Sequence, residues 1–233
     1  MPTQGSHGRP LRRECGAGDL FAAAYTARMG DDIQLIRFND TTRQRWRNNG
    51  GWTREIAIGG DVNDWDWRIS VAEVEADGPF SSFPGIEREI VLLAGAGMQF
   101  AFDDGESVAL TPESPRLRFD GARTLHSRLV DGPTRDFNLM WRRDRIRAEL
   151  WLRPMVGAMT LVGDAGEIWI VHLVSGQLQV LGGEVVRLAP GDSLVRRQTE
   201  VRSTTRMEGA GSAIFIRLAS AGTFQDTPVG ASQ

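Results

Sequence analysis

WDWRISVA, residues 65–72, alternates between large apolar and small or polar side chains. Successive side chains of an extended chain point to opposite faces, so Trp67, Ile69 and Val71 share one face while Arg68 and Ser70 share the other. An alternation of this length predicts a half-buried β-strand.

Similar short segments follow, separated by Gly, Pro, Asp and Ser. They are EIVLLAG (89–95), MQFAF (98–102), SVALT (107–111), RLRF (116–119), DFNLMW (136–141), EIWIVHLV (167–174), QLQVL (177–181), EVVRLA (184–189) and AIFIRLA (213–219). Only RIRAELWLRP (145–154) is expected to form a helical turn or two, ended by Pro154. The pattern predicts an all-β, antiparallel sandwich or barrel with few short helices.

The chain also contains an internal sequence repeat. LLAGAGMQFAF (92–102) and ESVALTPESP (106–115) resemble HLVSGQLQVL (172–181) and EVVRLAPGDS (184–193). A repeated hairpin and turn predicts two fused jelly-roll halves. We therefore expect a flexible extension at residues 1–30, an N-terminal half at 31–142, a C-terminal half at 143–219 and a tail at 220–233.

The composition excludes several kinds of chemistry. All 27 basic residues are arginine, and the single cysteine and tyrosine are Cys15 and Tyr25. Catalysis by a thiolate, a lysine or a tyrosine is therefore not expected in the β-rich part. The three histidines, at positions 7, 126 and 172, form no H-x-H pair, so neither a metal nor another cofactor is expected.

Charge and hydropathy limit the expected partners. The net charge of −3 gives no basic field for nucleic acid. No uncharged apolar run reaches the roughly 20 residues that cross a bilayer, so no membrane partner is expected. We expect a cytoplasmic protein; a homodimer is left open.

Four sequence blocks carry a resemblance to a known family. They are WRNNGGWTREIA (46–57), WDWRISVA (65–72), DGPFSSFPGIER (77–88) and DFNLM (136–140), and together with their order they resemble the HutD/Ves family. LAPGDSLV (188–195) looks like the second cupin motif without its metal-binding histidine. The N-terminal extension and Trp52 depart from the family pattern.

The resemblance implies a bicupin, that is, two fused jelly-roll (cupin) β-barrel halves. It also implies an association with histidine utilisation or stress response in bacteria and a pocket for a small carboxylate metabolite. Formylglutamate and urocanate, intermediates of histidine breakdown, are the natural candidates. No catalytic reaction is securely attached to the family.

Arg54 lies on an otherwise apolar face if residues 52–58, WTREIAI, form a strand. An unpaired buried charge costs roughly several kcal/mol. This arginine is therefore expected to pair with an internal carboxylate, to extend its charge to the surface, or to bind an anionic ligand through two parallel hydrogen bonds.

A polar barrel lumen would be lined by Arg68 and Ser70 if the tryptophan face packs against neighbouring structure. Asp136 and Asn138 alternate with apolar residues in the same way. Asp136 is expected to anchor an arginine and Asn138 to donate to a ligand oxygen. The alternative for Arg68 and Ser70 is a solvated outer face.

The rim of the site is assigned to residues near Gly-rich or aromatic loops. Asn48 precedes the Gly50-Gly51 turn, which can direct backbone N–H groups toward a ligand. Trp52, Phe80 and Phe83 are assigned as a pocket lid, although an aromatic loop of this kind can equally plug a barrel end. No catalytic residue and no metal ligand is assigned.

Three functions remain open. The first is a regulatory or metabolite-sequestering protein that binds a small carboxylate. The second is a metal-independent cupin enzyme of the isomerase or epimerase type, for which only Glu55, Asp136 or His172 could serve as acid or base. The third is a structural interaction module without a concave site.

Overall fold

The computed structural model describes residues 27–28, 33–182, 185–198 and 201–222, so most of the predicted extension and tail lies outside the described residues. A short 3-10 turn covers Phe38–Asp40. The strands are β1 (Ala27–Arg28), β2 (Ile33–Ile36), β3 (Arg43–Arg45), β4 (Gly51–Asp61), β5 (Asp64–Val74), β6 (Gly78–Phe80), β7 (Ile86–Ala94), β8 (Met98–Phe102), β9 (Ser107–Leu110), β10 (Arg116–Asp120), β11 (Leu125–Leu129), β12 (Thr134–Arg142), β13 (Ile146–Gly163), β14 (Ile168–Leu181), β15 (Val186–Leu188), β16 (Ser193–Arg197) and β17 (Ser203–Ser220).

The N-terminal half is built from two antiparallel sheets. The larger one, here called the N-terminal sheet, has the order β10-β7-β12-β5-β4-β3, and the smaller one, the covering sheet, has the order β6-β11-β8-β9. Apolar side chains of both sheets form a buried cluster that includes Ile90, Met98, Phe100, Phe119 and Leu125. This half therefore has an interior of its own.

The C-terminal half consists of one sheet, the C-terminal sheet. Its order is β1-β2-β16-β14-β17-β13, and β15 pairs with β14. A second buried cluster belongs to this half and includes Leu173, Leu178, Leu194, Met207 and Phe215.

The two halves meet at a third core, here called the seam. Trp67, Ile69 and Phe137 of the N-terminal sheet lie in one buried cluster with Ile170 and Ile216 of the C-terminal sheet. The alternation in residues 65–72 is thereby explained: the apolar face of β5 packs in the seam, and Arg68 and Ser70 face the interior of the N-terminal half.

The internal sequence repeat corresponds to two equivalent hairpins. Met98 lies opposite Leu110 in the β8–β9 hairpin. Leu178 lies opposite Leu188 in the β14–β15 hairpin. These are the positions that the sequence repeat aligns, so each half contains the same local unit.

The helical turn predicted at residues 145–154 is wrong. Residues 146–154 belong to β13, which pairs with β17 along its entire length from Ile146 to Gly163, and Arg145 lies in the turn before it. Pro154 is tolerated because β13 is an edge strand, where a missing N–H breaks no second ladder. Pairing with a long neighbour decides the conformation here.

The predicted boundary between the halves differs from the observed pairing. β2 lies within the predicted N-terminal half, yet it pairs with β16 of the C-terminal sheet. The following turn is fixed by Asp192, whose carboxylate accepts hydrogen bonds from Phe38 N (2.9 Å) and Arg37 Nη1 (2.7 Å). The segment before the N-terminal sheet therefore pairs with an edge of the C-terminal half first.

Candidate functional site

Polar side chains lie side by side on the inner face of the N-terminal sheet. Glu55, Ser70 and Asn138 lie opposite one another on β4, β5 and β12. In the adjacent row Arg68 and Arg88 flank Met140 on β5 and β7. Directly paired residues share a face, so these side chains point into the same interior.

Arg88 is the most buried cation of this interior, with 6% of its surface exposed. Its Nη2 donates to Asn138 Oδ1 (2.9 Å) and its Nη1 donates to the carbonyl oxygen of Ser81 (3.3 Å). Among the described residues its Nε has no hydrogen-bond partner. Burial lowers the pKa of Arg88 to about 10, so it stays charged at neutral pH.

Three phenylalanines surround the Arg88 guanidinium. Its central carbon lies 5.4 Å from the ring centre of Phe80, 5.6 Å from that of Phe83 and 5.2 Å from that of Phe119. Aromatic faces attract a cation at such distances. Phe80 and Phe83, assigned as a lid from the sequence, therefore lie against this site and hold a positive charge.

Asp136 is the nearby buried acid. Its carboxylate accepts a hydrogen bond from the Asn138 amide at Oδ1, whereas Oδ2 has no partner among the described residues. Burial raises the pKa of Asp136 to about 7, although the charge of Arg88 and the Asn138 hydrogen bond act in the opposite direction. The neutral form of this carboxyl group is therefore favoured far more than in an exposed aspartate.

Arg68 and Glu55 form the open side of the interior. Arg68 Nε donates to Glu55 Oε2 over 2.8 Å, and the two side chains are 24% and 25% exposed. One carboxylate thus fixes the guanidinium, while no described residue hydrogen-bonds its two terminal nitrogens. The Arg68 side chain is therefore partly accessible from solvent.

Arg54 does not join this group. It pairs across β4 and β5 with Val71, whose side chain packs in the seam. Its Nη1 donates to the carbonyl oxygens of Phe38 and Thr41, and its guanidinium lies 4.3 Å from the Phe38 ring centre. Arg54 therefore lies on the opposite face of the sheet, away from the polar interior. Its partners are two backbone carbonyl groups and not a carboxylate or a ligand.

Trp52 and Asn48 also lie away from the polar interior. The Trp52 ring is covered by the guanidinium groups of Arg43 (4.3 Å) and Arg45 (4.8 Å), and its Nε1 donates to Glu75 (3.1 Å). Asn48 is in the exposed turn before β4, where its Oδ1 accepts a hydrogen bond from Gly50 N (3.0 Å). Of the assigned residues, the structure brings together Arg68, Ser70, Asp136, Asn138, Phe80 and Phe83.

Arg88 was not among the residues assigned from the sequence. In IEREIVLLA (86–94) it shares one face with Ile86, Ile90 and Leu92, so it stands on an apolar face just as Arg54 does. A charge on such a face needs a partner, so the sequence already contains the signal for Arg88.

A cleft lies elsewhere, between the edges of the N-terminal and C-terminal sheets. It has a volume of about 340 Å³ around Trp141 and is lined by four arginines, Arg118, Arg143, Arg147 and Arg217. Each of these arginines already has an interaction partner. The cleft therefore offers less unsatisfied charge than the interior around Arg88.

His172, the remaining candidate for an acid or base, lies far from the interior around Arg88. His172 is 1% exposed, lies in the seam, and its Nδ1 is 2.8 Å from Ser193 Oγ. In the described ranges, no group of three or more His, Cys, Asp or Glu side chains is arranged to hold a metal ion. Within those ranges there is also no helix of the length and hydropathy that a membrane span requires.

Comparisons with known proteins give a consistent result. The sequence profile of the HutD family matches residues 38–215. A 21.2 kDa protein in the hutC 3′ region of Pseudomonas putida is 35% identical over 166 residues, which cover 70% of this chain and 85% of that protein. Protein Ves of Cronobacter sakazakii is 33% identical over 136 residues, covering 58% of this chain and 72% of that protein.

A solved structure shares the architecture. HutD from Pseudomonas fluorescens SBW25 superposes with a TM-score of 0.71 at 31% sequence identity, and the match covers 81% of this chain and 98% of that chain. The expected resemblance to the HutD/Ves family and the expected all-β bicupin fold are confirmed.

Proposed function

The chain belongs to the HutD family, and from this premise we propose that it binds a small carboxylate metabolite inside its N-terminal half. Formylglutamate and urocanate represent the ligand class. The bound form acts in the regulation of histidine utilisation.

One observation carries the proposal: Arg88 is a buried cation whose described hydrogen bonds go only to neutral oxygens. A buried charge without a close counter-ion is costly. The nearest acid, Asp136, has a raised pKa and so supplies only part of a negative charge at neutral pH. An arriving carboxylate would supply the missing charge.

The balance of charge across the interior also favours an anion. Arg68 and Glu55 neutralise each other, which leaves Arg88 against a partly protonated Asp136. Arg68 and Arg88 both pair with Met140 and so lie on the same face of the N-terminal sheet, which supports a site between the two cations. Guanidinium groups that flank one site match the paired oxygens of a carboxylate.

The names of relatives support the biological setting. The Pseudomonas putida relative lies in the hutC 3′ region, and hut denotes histidine utilisation. The Pseudomonas fluorescens structure is described as HutD in a formate condition, and formate is the smallest carboxylate. Both names fit a role related to histidine utilisation.

Thermal unfolding with formylglutamate, urocanate, glutamate or formate tests the binding. A ligand at 100 times its Kd adds about 2.7 kcal/mol, which raises Tm by about 5–10 °C for a chain of this size. Arg68→Gln should abolish the rise because its free terminal nitrogens meet the ligand. Arg43→Gln is the matched control, since Arg43 pairs with Glu73 (3.2 Å) away from this interior.

Two results would count against the binding proposal. One is the absence of a Tm rise with every carboxylate, and the other is an unchanged rise in Arg68→Gln. The regulatory role is tested separately by growth of a strain lacking the gene on histidine as sole nitrogen source. Normal growth and normal expression of the histidine-degrading enzymes would contradict that role.

A second candidate function is a metal-independent isomerase or epimerase acting on a small carboxylate. It is favoured by the Asp136 pKa of about 7, because an acid–base catalyst works best when its pKa is near the working pH. Such an enzyme would exchange a carbon-bound hydrogen of its substrate with deuterated water, and Asp136→Asn would stop the exchange. Binding without any exchange or turnover would exclude this candidate.

A further inference from the structure

A small pocket lies in the seam at the end of the molecule where the turn after β2 meets β16. It has a volume of about 90 Å³. Phe38, Val71 and Leu93 contribute apolar walls, and the polar side chains among its described lining residues are Arg135 and His172. An apolar pocket with a few convergent polar groups is the usual form of a small-ligand site.

His172 presents an unpartnered ring nitrogen in this pocket. Its Nδ1 is bonded to Ser193 Oγ, whereas no described residue hydrogen-bonds its Nε2. The ring is fixed against Phe137, with 4.9 Å between the ring centres. Because Nδ1 is occupied and the ring lines the pocket, Nε2 is the atom available to a guest.

Arg135 supplies a cation that has no counter-ion among the described residues. It is exposed, and no described residue forms a hydrogen bond or ion pair with its side chain. Its cross-strand neighbour Glu73 is engaged by Arg43 over 3.2 Å. The charge of Arg135 reaches the pocket, since it helps to lower the pKa of His172.

The other charge near the pocket is already neutralised. Asp192 is 5% exposed and accepts hydrogen bonds from Arg37 Nη1 (2.7 Å), Phe38 N (2.9 Å) and Ala189 N (3.0 Å). Its carboxylate is therefore fully engaged by hydrogen bonds from the surrounding turns. The field inside the pocket is dominated by the free guanidinium of Arg135, which favours an anion.

We propose that this pocket is a second binding site, for a small monovalent anion such as formate or a halide. The anion sits between the Arg135 guanidinium and His172 Nε2–H, and Ser193 Oγ–H donates to His172 Nδ1. At the roughly 30 Å³ that a water molecule occupies in the liquid, the pocket has room for about three or four non-hydrogen atoms. The site is distinct from the interior around Arg88, because Arg135 and His172 face the seam.

Nuclear magnetic resonance of the histidine rings tests the proposal. The chain contains only three histidines, so the ring signals of His172 are identified by their loss in His172→Gln. Sodium formate and sodium bromide are titrated at constant ionic strength, and citrate serves as an anion too large for the pocket. We expect a saturable shift of His172 Nε2 with formate and bromide, toward a protonated nitrogen, and none with citrate.

Variants separate this site from the proposed function. Arg135→Gln should weaken the apparent Kd about tenfold or more, the loss expected for one charge-assisted hydrogen bond. Arg128→Gln is the control, because Arg128 is also an exposed arginine but lies on β11 in the covering sheet, away from the seam pocket. Arg68→Gln should leave the His172 response unchanged even if it abolishes carboxylate binding in the N-terminal half.

Three results would overturn the inference. A shift that grows linearly without saturation would indicate an adventitious ion only. An equal response in Arg135→Gln would show that this cation does not hold the anion. Loss of the response in Arg68→Gln would mean that His172 reports binding elsewhere.

Discussion

Asp136 is a buried carboxyl whose charge is only partly stabilised by its neighbours. Burial raises its pKa to about 7 in the folded state from 3.8 in the unfolded chain. Between these values the unfolded state releases its proton and the folded state keeps it, so stability falls as pH rises. As the pH rises from about 4 to 7, we expect the free energy of unfolding of Asp136→Asn to increase on the order of 4 kcal/mol relative to that of the wild type. Urea unfolding across this range measures the gain; a difference independent of pH would contradict it.

His172 should act with the opposite sign. Burial and, to a smaller extent, Arg135 lower its pKa to about 4 from 6.5. Between these values the unfolded state holds a proton that the folded state lacks, so stability rises with pH. In His172→Gln this rise should disappear, and the wild type should gain on the order of 3 kcal/mol over the variant between about pH 4 and 6.5. Parallel stability curves would show that His172 is not buried as a neutral ring.

For individual charged residues, the sequence predicts which side chains need a partner but not which partner they find. Arg54 and Arg88 both stand on apolar faces of their strands, and only Arg88 enters the polar interior. Arg54 instead binds two carbonyl groups of a turn that precedes its strand. Alternation cannot distinguish the two, because it shows that two side chains share a face but not what covers that face.

Among the secondary-structure elements, β14 and β17 come unusually close where Gly176 faces Gly211. Gly176 has φ +85°, and a Cβ there would lie 1.9 Å from the carbonyl oxygen of Ala210. Gly157 has a similar φ of +79° with open space around it. We therefore expect Gly176→Ala to cost at least about 2 kcal/mol more than Gly157→Ala. Chemical unfolding of the two variants gives the difference, and equal losses would exclude a backbone clash as its cause.

Local patterns predict the strands with regular alternation well and the strands of mixed sequence poorly. β5, β8 and β9 follow from alternation and turn residues, because a hairpin is fixed by contacts close in sequence. β13 mixes Arg, Glu and Pro154 and owes its conformation to pairing with β17. The pairing of β2 with β16 joins residues more than 150 positions apart, which no local pattern encodes.

The molecule as a whole is held together by the seam. Trp67 and Trp141 from one half share a buried cluster with Ile214 and Ile216 from the other. Neither half can cover this apolar surface alone, so we expect a single unfolding transition that is the same by tryptophan fluorescence and by circular dichroism. Ile216→Ala should move this one transition, at a cost of roughly 2–5 kcal/mol. Two separate transitions would contradict the shared core.

The fold class is the part of the account that the sequence predicts most completely, because the repeated hairpin and the family blocks lie in the chain itself. The site is predicted in part: Arg68, Ser70, Asp136 and Asn138 are found on one inner face. The sequence places Arg88 on an apolar face, but which interior it enters, and where the seam pocket forms, depend on how separate strands pair and pack.

A crystal structure of the protein grown with formylglutamate would show whether the ligand binds inside the N-terminal half. We expect a ligand carboxylate between Arg68 and Arg88, hydrogen-bonded to at least one of the two guanidinium groups, with Phe80 and Phe83 beside it. Density for the ligand only in the arginine-lined cleft around Trp141, or ligand-free interiors in crystals grown with saturating formylglutamate, would contradict it.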